Sequence, residues 1–359
     1  MGFPSASPFF PIIAMSIHYT CLAALFLLGT VLTSMPTAAA DPAPSAPLKI
    51  GIIGLDTSHA TAFTAAFNGE KPAAELAGLR VTAAYPKGSP DIESSTRRVP
   101  EYIEIVKKQG VEIVDSIDAL VGKVDFVLLE TNDGRPHFEQ ALPVMKAGKP
   151  VFIDKPVAGS LVETIMLFRA AEKLKCPMFT SSSLRYGKVP QSIRRGDFGA
   201  VMGCDAYSPC HLEKTHPDLY WYGIHGCELL YTVMGPGCER VTRSSSADFD
   251  TVVGTWSDGR MGTFRGIRKG ASGYGGTAFT EKGIKPLGEF DGYQPLVVEI
   301  AKFFRSKQAP IAPAESIELY TFMAAADESK KRDGAPVLLR DVMAAAEKEA
   351  EARLAKLGL

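Results

Sequence analysis

The stretch Gly54 to His59, GLDTSH, is the first part of this 359-residue chain whose residue types suggest chemistry. It follows a short apolar run and precedes a predicted helix, as does a loop that holds phosphate on backbone N–H groups at a helix N-terminus. The usual fingerprint has three glycines, but Asp56 and His59 stand at the second and third glycine positions. Asp56 could cap the helix and occupy the anion site itself, and Thr57 and Ser58 are also good caps. The loop therefore predicts a nucleotide-binding fold with an altered phosphate site.

The second predicted strand bears on the same site. It leads into Tyr85 and Pro86, where an acidic residue would bind the ribose hydroxyls of a dinucleotide. Lys87 and Ser89 would suit a 2′-phosphate, so NADP is slightly favoured over NAD. Two loop glycines and the ribose acid are absent, so the sequence leaves open whether either dinucleotide binds.

Alternating strand-like and helix-like stretches must position this loop. Over residues 48–180 they predict a doubly wound parallel sheet of the Rossmann type. Over residues 181–340 the pattern changes to an α+β domain with a mainly antiparallel sheet, in which Ser257–Arg260 is a hairpin turn. A C-terminal helix is predicted over residues 341–359. The fold class is therefore α/β, with a nucleotide-binding domain followed by a substrate domain.

The N-terminal residues 1–40 differ from the rest because they contain no Asp, Glu, Lys or Arg. The apolar run Cys21–Leu32 is short for a membrane span of about 20 residues but suits the core of a signal peptide, and small residues precede Asp41. We expect export to the periplasm or the medium, with a membrane anchor over residues 21–32 as the alternative. Residues 41–47 are predicted to be a linker.

Composition excludes several other classes of function. The net charge of −1 argues against a general nucleic-acid surface. The cysteines beyond the apolar segment lack C-x-x-C spacing, which argues against zinc and thioredoxin-like sites. They predict either one disulfide among the last four or buried thiols. His211, His216 and Asp218 share no recurring metal-ligand spacing, so no metal site is expected from them.

Two longer segments resemble one known family. Residues 130–158, ETNDGRPHFEQALPVMKAGKPVFIDKPVA, are similar to the T-P-N-x-x-H…E-K-P segment of the Gfo/Idh/MocA family of glucose–fructose oxidoreductase and inositol dehydrogenase-like proteins. Residues 222–235, YGIHGCELLYTVMG, resemble its G-x-H-x-x-D/E-L segment. His137 lies 17 residues before Asp154, as the family's His does before the Glu of E-K-P. The resemblance covers roughly residues 49–339.

The resemblance implies a site for NAD or NADP and a sugar or polyol, and homodimers through an open sheet face. The implied catalytic residues, which flank the reacting carbon of the substrate, are Lys155 and His225. The implied cofactor-binding residues are Gly54, Asp56, Thr57, Ser58, His59, Thr131, Asn132, His137, Asp154 and Lys155. The implied substrate-binding residues are Arg185, Tyr186, Trp221 and His225.

Lys155 and His225 suit the oxidation of a secondary alcohol. A histidine can take the hydroxyl proton near neutral pH, and an ammonium stabilises the developing alkoxide. We therefore expect an exported NAD(P)-dependent oxidoreductase acting on a sugar or polyol. The alternative is a carbohydrate-binding or non-redox protein, glycoside-cleaving or lyase-type, with a degenerate cofactor loop.

Structural roles remain open for several of these residues. His225 could instead satisfy the start of the predicted helix Glu228–Met234, and Arg185 and Tyr186 could stabilise the domain junction. Trp221 stands where many family members carry an Asp that orients the histidine, and Asp218 could replace it. Glu228 is expected to support the site rather than react.

Overall fold

The computed structural model describes residues 46–359, and these form one compact unit. The predicted signal or anchor segment, residues 1–40, lies outside the described residues, as do residues 41–45 of the predicted linker. In the described part of the chain, none of the helices has both the length and the apolar character of a membrane span.

Six parallel strands form the first sheet, in the order β3-β2-β1-β4-β5-β6. The strands are β1 (Leu48–Ile53), β2 (Leu79–Tyr85), β3 (Glu112–Ile113), β4 (Phe126–Leu129), β5 (Val151–Ile153) and β6 (Met178–Thr180). The helices between them are α1 (Ser58–Asn68), α2 (Glu93–Lys108), α3 (Ile117–Val121), α4 (His137–Lys146) and α5 (Leu161–Lys173). The strands β4 and β5 are entirely buried, as expected of a parallel sheet covered on both faces. This sheet confirms the predicted Rossmann-type fold, and its order reverses between β1 and β4, where such sheets bind ligands.

Seven strands form the second sheet, in the order β12-β11-β7-β10-β9-β8-β13. They are β7 (Val201–Pro209), β8 (Cys238–Ser245), β9 (Phe249–Trp256), β10 (Met261–Ile267), β11 (Gly275–Thr280), β12 (Gly283–Pro286) and β13 (Val337–Leu338). The other helices are α6 (Lys188–Arg194), α7 (Ile224–Met234), α8 (Gln294–Ser306), α9 (Pro313–Lys331) and α10 (Leu339–Lys356). All neighbouring strands are antiparallel except β7 and β10. The predicted, mainly antiparallel second sheet is thus confirmed.

The helices α7 and α8 join the sheets to the site. The fully buried α7 packs against β7 and β10 of the second sheet. The helix α8 packs on the first sheet instead, where Phe304 stacks on Phe126 with ring centroids 4.7 Å apart. Late parts of the sequence therefore complete the core of the first sheet.

The cysteines of the described chain are all buried thiols, and none of them forms a disulfide. Of the two sequence-based interpretations, buried thiols are the one that the structure has. Burial raises the pKa of Cys176 to about 11 and that of Cys210 to about 12. These thiols are therefore protonated and unreactive near neutral pH.

Candidate active site

A cavity of about 290 Å³ lies at the carboxyl ends of the first sheet's central strands. Lys155, directly beyond β5, and His225, in the first turn of α7, both line it although they are 70 positions apart in the sequence. Polar and aromatic side chains complete the lining, among them Thr57, Ser58, Arg98, Asn132, Trp221, Tyr222, Tyr274, Phe290 and Tyr293. A larger cavity of about 800 Å³ beside α6 and α8 is lined by neither Lys155 nor His225.

The His225 imidazole is buried and held on several sides. Its Nδ1 lies 2.8 Å from Ser182 Oγ, and the rings of Tyr222 and Tyr274 meet it edge-on with centroids 5.6 and 5.7 Å away. Burial first, and then the positive charge of Lys155, hold the pKa of His225 well below its usual 6.5. The imidazole is therefore neutral at pH 7, and when Nδ1–H donates to Ser182, Nε2 is free to accept a proton.

The turn that holds His225 is itself fixed by Glu228, one helical turn further along α7. The Glu228 carboxylate accepts hydrogen bonds from Ser181 Oγ at 2.6 Å and from the Ser182 N–H at 2.7 Å. It also pairs with Arg185 Nε at 2.7 Å. Glu228 thus supports the site indirectly, because it positions the serine that contacts the imidazole.

The position four residues before His225 does not supply an acid to the imidazole. Trp221 lines the cavity and packs against the His216 ring, with centroids 4.9 Å apart. Asp218, which the sequence offered as a substitute, pairs instead with Arg243 at 2.9 Å and Lys330 at 2.5 Å. Ser182 takes the orienting role, and the sequence gave no signal for it beyond its place in the SSSLRYG stretch.

Arg185 and Tyr186 do not line the cavity that Lys155 and His225 share. The Arg185 guanidinium is buried between Glu228 and Glu315, with the contact to Glu315 Oε1 at 2.6 Å. Both residues face the larger cavity beside α6 and α8. Their contacts agree with the structural alternative, a role at the junction of the two sheets.

The altered phosphate loop has a well-defined structure. Gly54 has φ of +88°, and a Cβ there would lie 2.4 Å from the Thr131 nitrogen, so only glycine fits. The buried Asp56 carboxylate accepts from the Asn132 N–H at 2.9 Å and from Ser95 Oγ at 2.7 Å. Thr57, rather than Asp56, is the N-cap of α1, and its Oγ1 accepts from the His59 N–H. Burial raises the pKa of Asp56 above its usual value.

The bridge from Asp56 continues to a second cavity. Ser95 Oγ accepts from the Ser89 N–H at 2.8 Å, and Ser89 Oγ donates to Asp133 at 2.6 Å. This cavity, of about 470 Å³, is lined by Tyr85, Lys87, Ser89, Asp133 and Arg135 among others. Burial alone would raise the pKa of Asp133, but hydrogen bonds from His216, Arg135 and Ser89 hold it far below its usual value. The serine predicted to suit a 2′-phosphate is thus bound to a carboxylate.

The remaining predicted cofactor residues make internal contacts. His59 Nδ1 lies 2.8 Å from Asp154 Oδ2. The His137 ring nitrogens lie 2.8 Å from the Thr131 carbonyl and 3.1 Å from that of Val157, and Thr131 Oγ1 donates to Gln140. The structure therefore brings these residues to the sheet edge, where they tie the loops to one another.

A dinucleotide does not fit this arrangement. In the fold, its pyrophosphate crosses the glycine loop at the N-terminus of α1, and its ribose reaches the end of β2. Here the bridge Asp56–Ser95–Ser89 crosses that path and separates the two cavities. A pyrophosphate would have to displace a buried carboxylate or lie against it, negative charge beside negative charge.

The parallel sheet, its switch point and the positive-φ glycine define a Rossmann-type α/β protein. The model of the Gfo/Idh/MocA family, described as an oxidoreductase family with an NAD-binding Rossmann fold, matches residues 48–182. Those residues belong to that family, and the resemblance predicted from the sequence is confirmed. No curated protein sequence matches the chain.

Solved structures of sugar and polyol dehydrogenases share the fold. A scyllo-inositol dehydrogenase from Lactobacillus casei with bound NAD(H) and scyllo-inositol is 17% identical, with a TM-score of 0.62 over 82% of this chain and 99% of that one. A UDP-N-acetylglucosamine 3-dehydrogenase from Acidithiobacillus ferrooxidans is 14% identical, with a TM-score of 0.63 over 80% and 99%. An oxidoreductase from Agrobacterium radiobacter in complex with NAD+, L-tartaric acid and magnesium is 15% identical, with a TM-score of 0.64 over 82% and 99%. At these identities the likeness shows the fold alone.

Proposed function

We propose that this protein is an enzyme that binds a sugar or polyol in the 290 Å³ cavity and transfers a proton at the carbon flanked by Lys155 and His225. One observation carries the proposal: these two residues, from different sheets, line a single cavity with five aromatic side chains. Aromatic faces pack on the apolar faces of sugar rings, and the polar side chains beside them can bind hydroxyls. The volume suits one sugar ring.

His225 and Lys155 divide the chemistry. The neutral imidazole, held by Ser182 at Nδ1, accepts a proton from the substrate at Nε2. The Lys155 ammonium, within the same cavity, stabilises the oxyanion that this proton transfer creates. The proton then returns from the imidazole to a leaving oxygen, so the pair can cleave a bond without an external oxidant.

The reaction class follows from the bridge at Asp56. Oxidation of the alcohol would need a hydride acceptor, and the dinucleotide of the family does not fit while Asp56 is bonded to Ser95 and Asn132. We therefore favour a non-redox reaction, lyase-type or glycoside-cleaving, on the family's fold.

A second candidate is NAD(P)-dependent oxidation of the same substrate. The family match over residues 48–182 favours it, as do the NAD complexes among the structures that share the fold. It would require the bridge to open, and Lys87 would then favour NADP slightly over NAD.

Nucleotide content decides between the two candidates. We expect protein purified from its natural host to release no nucleotide on denaturation, as measured by mass spectrometry, and to bind none of NAD, NADH, NADP or NADPH at millimolar concentration in calorimetry. Asp56→Gly, which restores the second glycine, should bind more tightly than the wild type. Bound nucleotide in the wild type would establish the dehydrogenase candidate instead.

We also propose that the protein is exported, on the support of the uncharged apolar segment within residues 1–40. Cleavage would leave a mature N-terminus near Asp41. N-terminal sequencing of protein from the culture medium and cell fractions tests this, and an intact N-terminus in the membrane fraction would favour the anchor.

A homodimer through the open face of the second sheet is a further proposal, made by analogy with the family. Met261 and Phe279 stand in register on either side of Gly203 and are 56% and 38% exposed. We expect Met261→Glu to weaken dimerisation at least tenfold in sedimentation equilibrium. Leu357→Glu, on the exposed side of α10, is the matched control and should leave the dimer intact. A monomeric wild type would contradict the proposal.

A further inference from the structure

Three buried side chains converge beneath the cavity. His59 lies in the first turn of α1, Glu130 directly follows β4, and Asp154 directly follows β5. Each offers a ligand atom, and these atoms all lie within 4.8 Å of one another. The sheet fixes the two acids, because the Glu130 N–H donates to the Ile53 carbonyl and the Asp154 N–H to that of Leu129. Packing of the His59 ring against Phe63 and Tyr293 fixes the third ligand.

The two acids are not satisfied by the protein. Both oxygens of Glu130, and Oδ1 of Asp154, are buried without a hydrogen-bond partner among residues 46–359. Burying a carboxylate without partners costs several kcal/mol as an order of magnitude. Such a group calls for an explanation, and an unseen ion is one of them.

Two rival explanations leave the geometry unresolved. A proton on Glu130 would remove its charge, but the new O–H would have no acceptor in the described part of the chain. The Lys155 ammonium attracts both acids, yet it donates a hydrogen bond to neither Glu130 oxygen. A cation bound by both acids would account for all three unpartnered oxygens.

We propose that His59, Glu130 and Asp154 form a site for a first-row divalent cation, with Zn²⁺ or Mn²⁺ as the best fit. One imidazole nitrogen with two carboxylates is a donor set for such metals, whereas Ca²⁺ and Mg²⁺ prefer oxygen alone. His59 Nδ1 and Asp154 Oδ2 are 2.8 Å apart. Two ligands, each about 2.1 Å from one ion, would be roughly 3.0–3.4 Å apart, so a small movement admits the metal.

The open positions of this metal would face the candidate active site. His59 lines the 290 Å³ cavity, as does Lys155, the residue after Asp154. Water or a substrate oxygen from the cavity would complete the coordination, since a three-ligand site leaves room for one. The two sequence positions that depart from the family pattern, His59 for a loop glycine and Asp154 for the Glu of E-K-P, both become ligands. The inference does not rest on the proposed reaction, because binding is measured without turnover.

The test uses untagged protein, stripped with a chelator and titrated with ZnCl₂ and MnCl₂ by calorimetry, with metal content measured by mass spectrometry. We expect one ion per chain for the wild type and at least a hundredfold weaker binding for Glu130→Gln. Glu101→Gln, the same change at an exposed position of α2, should bind like the wild type. Absence of stoichiometric binding by the wild type, or equal binding by Glu130→Gln, would overturn the proposal.

Thermal unfolding provides a second readout, which also covers a variant that fails to fold. Metal should raise the Tm of the stripped wild type, and chelator should lower it again. Without metal, Glu130→Gln should be at least as stable as the wild type because it removes a buried charge, and metal should then leave its Tm unchanged. A wild-type Tm that is insensitive to both metal and chelator would contradict the site.

Discussion

Replacing His225 by alanine is expected to lower kcat/KM for the sugar or polyol substrate by about a hundred- to ten-thousandfold, the usual contribution of a general base. The loss should fall on kcat, because the aromatic residues that line the cavity remain to bind the substrate. Ser182→Ala should give a smaller loss, since it removes only the partner that holds the imidazole at Nδ1. Steady-state kinetics on a substrate from a glycoside and polyol screen measures both effects.

The pH profile separates a base from a structural histidine. Only the neutral imidazole can accept the proton, and burial with the nearby Lys155 charge lowers the pKa of His225. Activity should therefore persist below pH 6.5 and fall only as the pH passes through the lowered pKa. The unfolded chain takes up this proton near pH 6.5 and the folded chain does not, so His225 also reduces stability as the pH falls below that value. An unchanged kcat in His225→Ala, or a profile without an acid limb, would show that the imidazole only packs.

The sequence predicted the fold and the meeting of Lys155 with His225, because both depend on strong local patterns. Alternating apolar strands and helices imply a parallel sheet, and the loops after its strands must share one edge. The two conserved-type segments around residues 155 and 225 then place one residue each in the cavity.

The sequence did not predict the residues that α2 brings to the loop. Pro100 is a typical first residue of a helix, so the prediction began there. The helix actually begins at Glu93 and continues through Pro100, and its first turns supply Ser95 to Asp56 and Arg98 to the cavity. A proline inside a helix usually costs stability, and local propensity could not show that tertiary contacts outweigh that cost.

Glu130 was missed for a different reason. It ends the apolar run FVLLE, where a charged residue normally marks the point at which a strand reaches solvent. Only the three-dimensional structure shows that β4 is covered there and that His59 and Asp154 lie beside the acid. A cluster built from three separate loops has no spacing that a linear pattern can reveal.

Removing Glu228 is expected to produce the largest loss of stability, about 3–5 kcal/mol in the free energy of unfolding for Glu228→Ala. The side chains of Glu228 and Arg185 are 4% and 3% exposed, so the guanidinium would lose one of its two carboxylate partners in a nearly water-free setting. The N–H of Ser182 and the hydroxyl of Ser181 would lose their acceptor at the same time. Urea unfolding of the wild type and the variant measures the difference.

An exposed pair provides the control for this loss. Glu347 lies 3.4 Å from Arg169, and their side chains are 42% and 49% exposed. Glu347→Ala should cost less than about 1 kcal/mol, because solvent screens that pair and rehydrates the remaining charge. Glu228→Gln should lie between the two, since its amide oxygen can still accept from Ser182 while the charge facing Arg185 is gone. Equal costs at positions 228 and 347 would mean that water reaches Arg185, and the serine turn that holds His225 would then need another support.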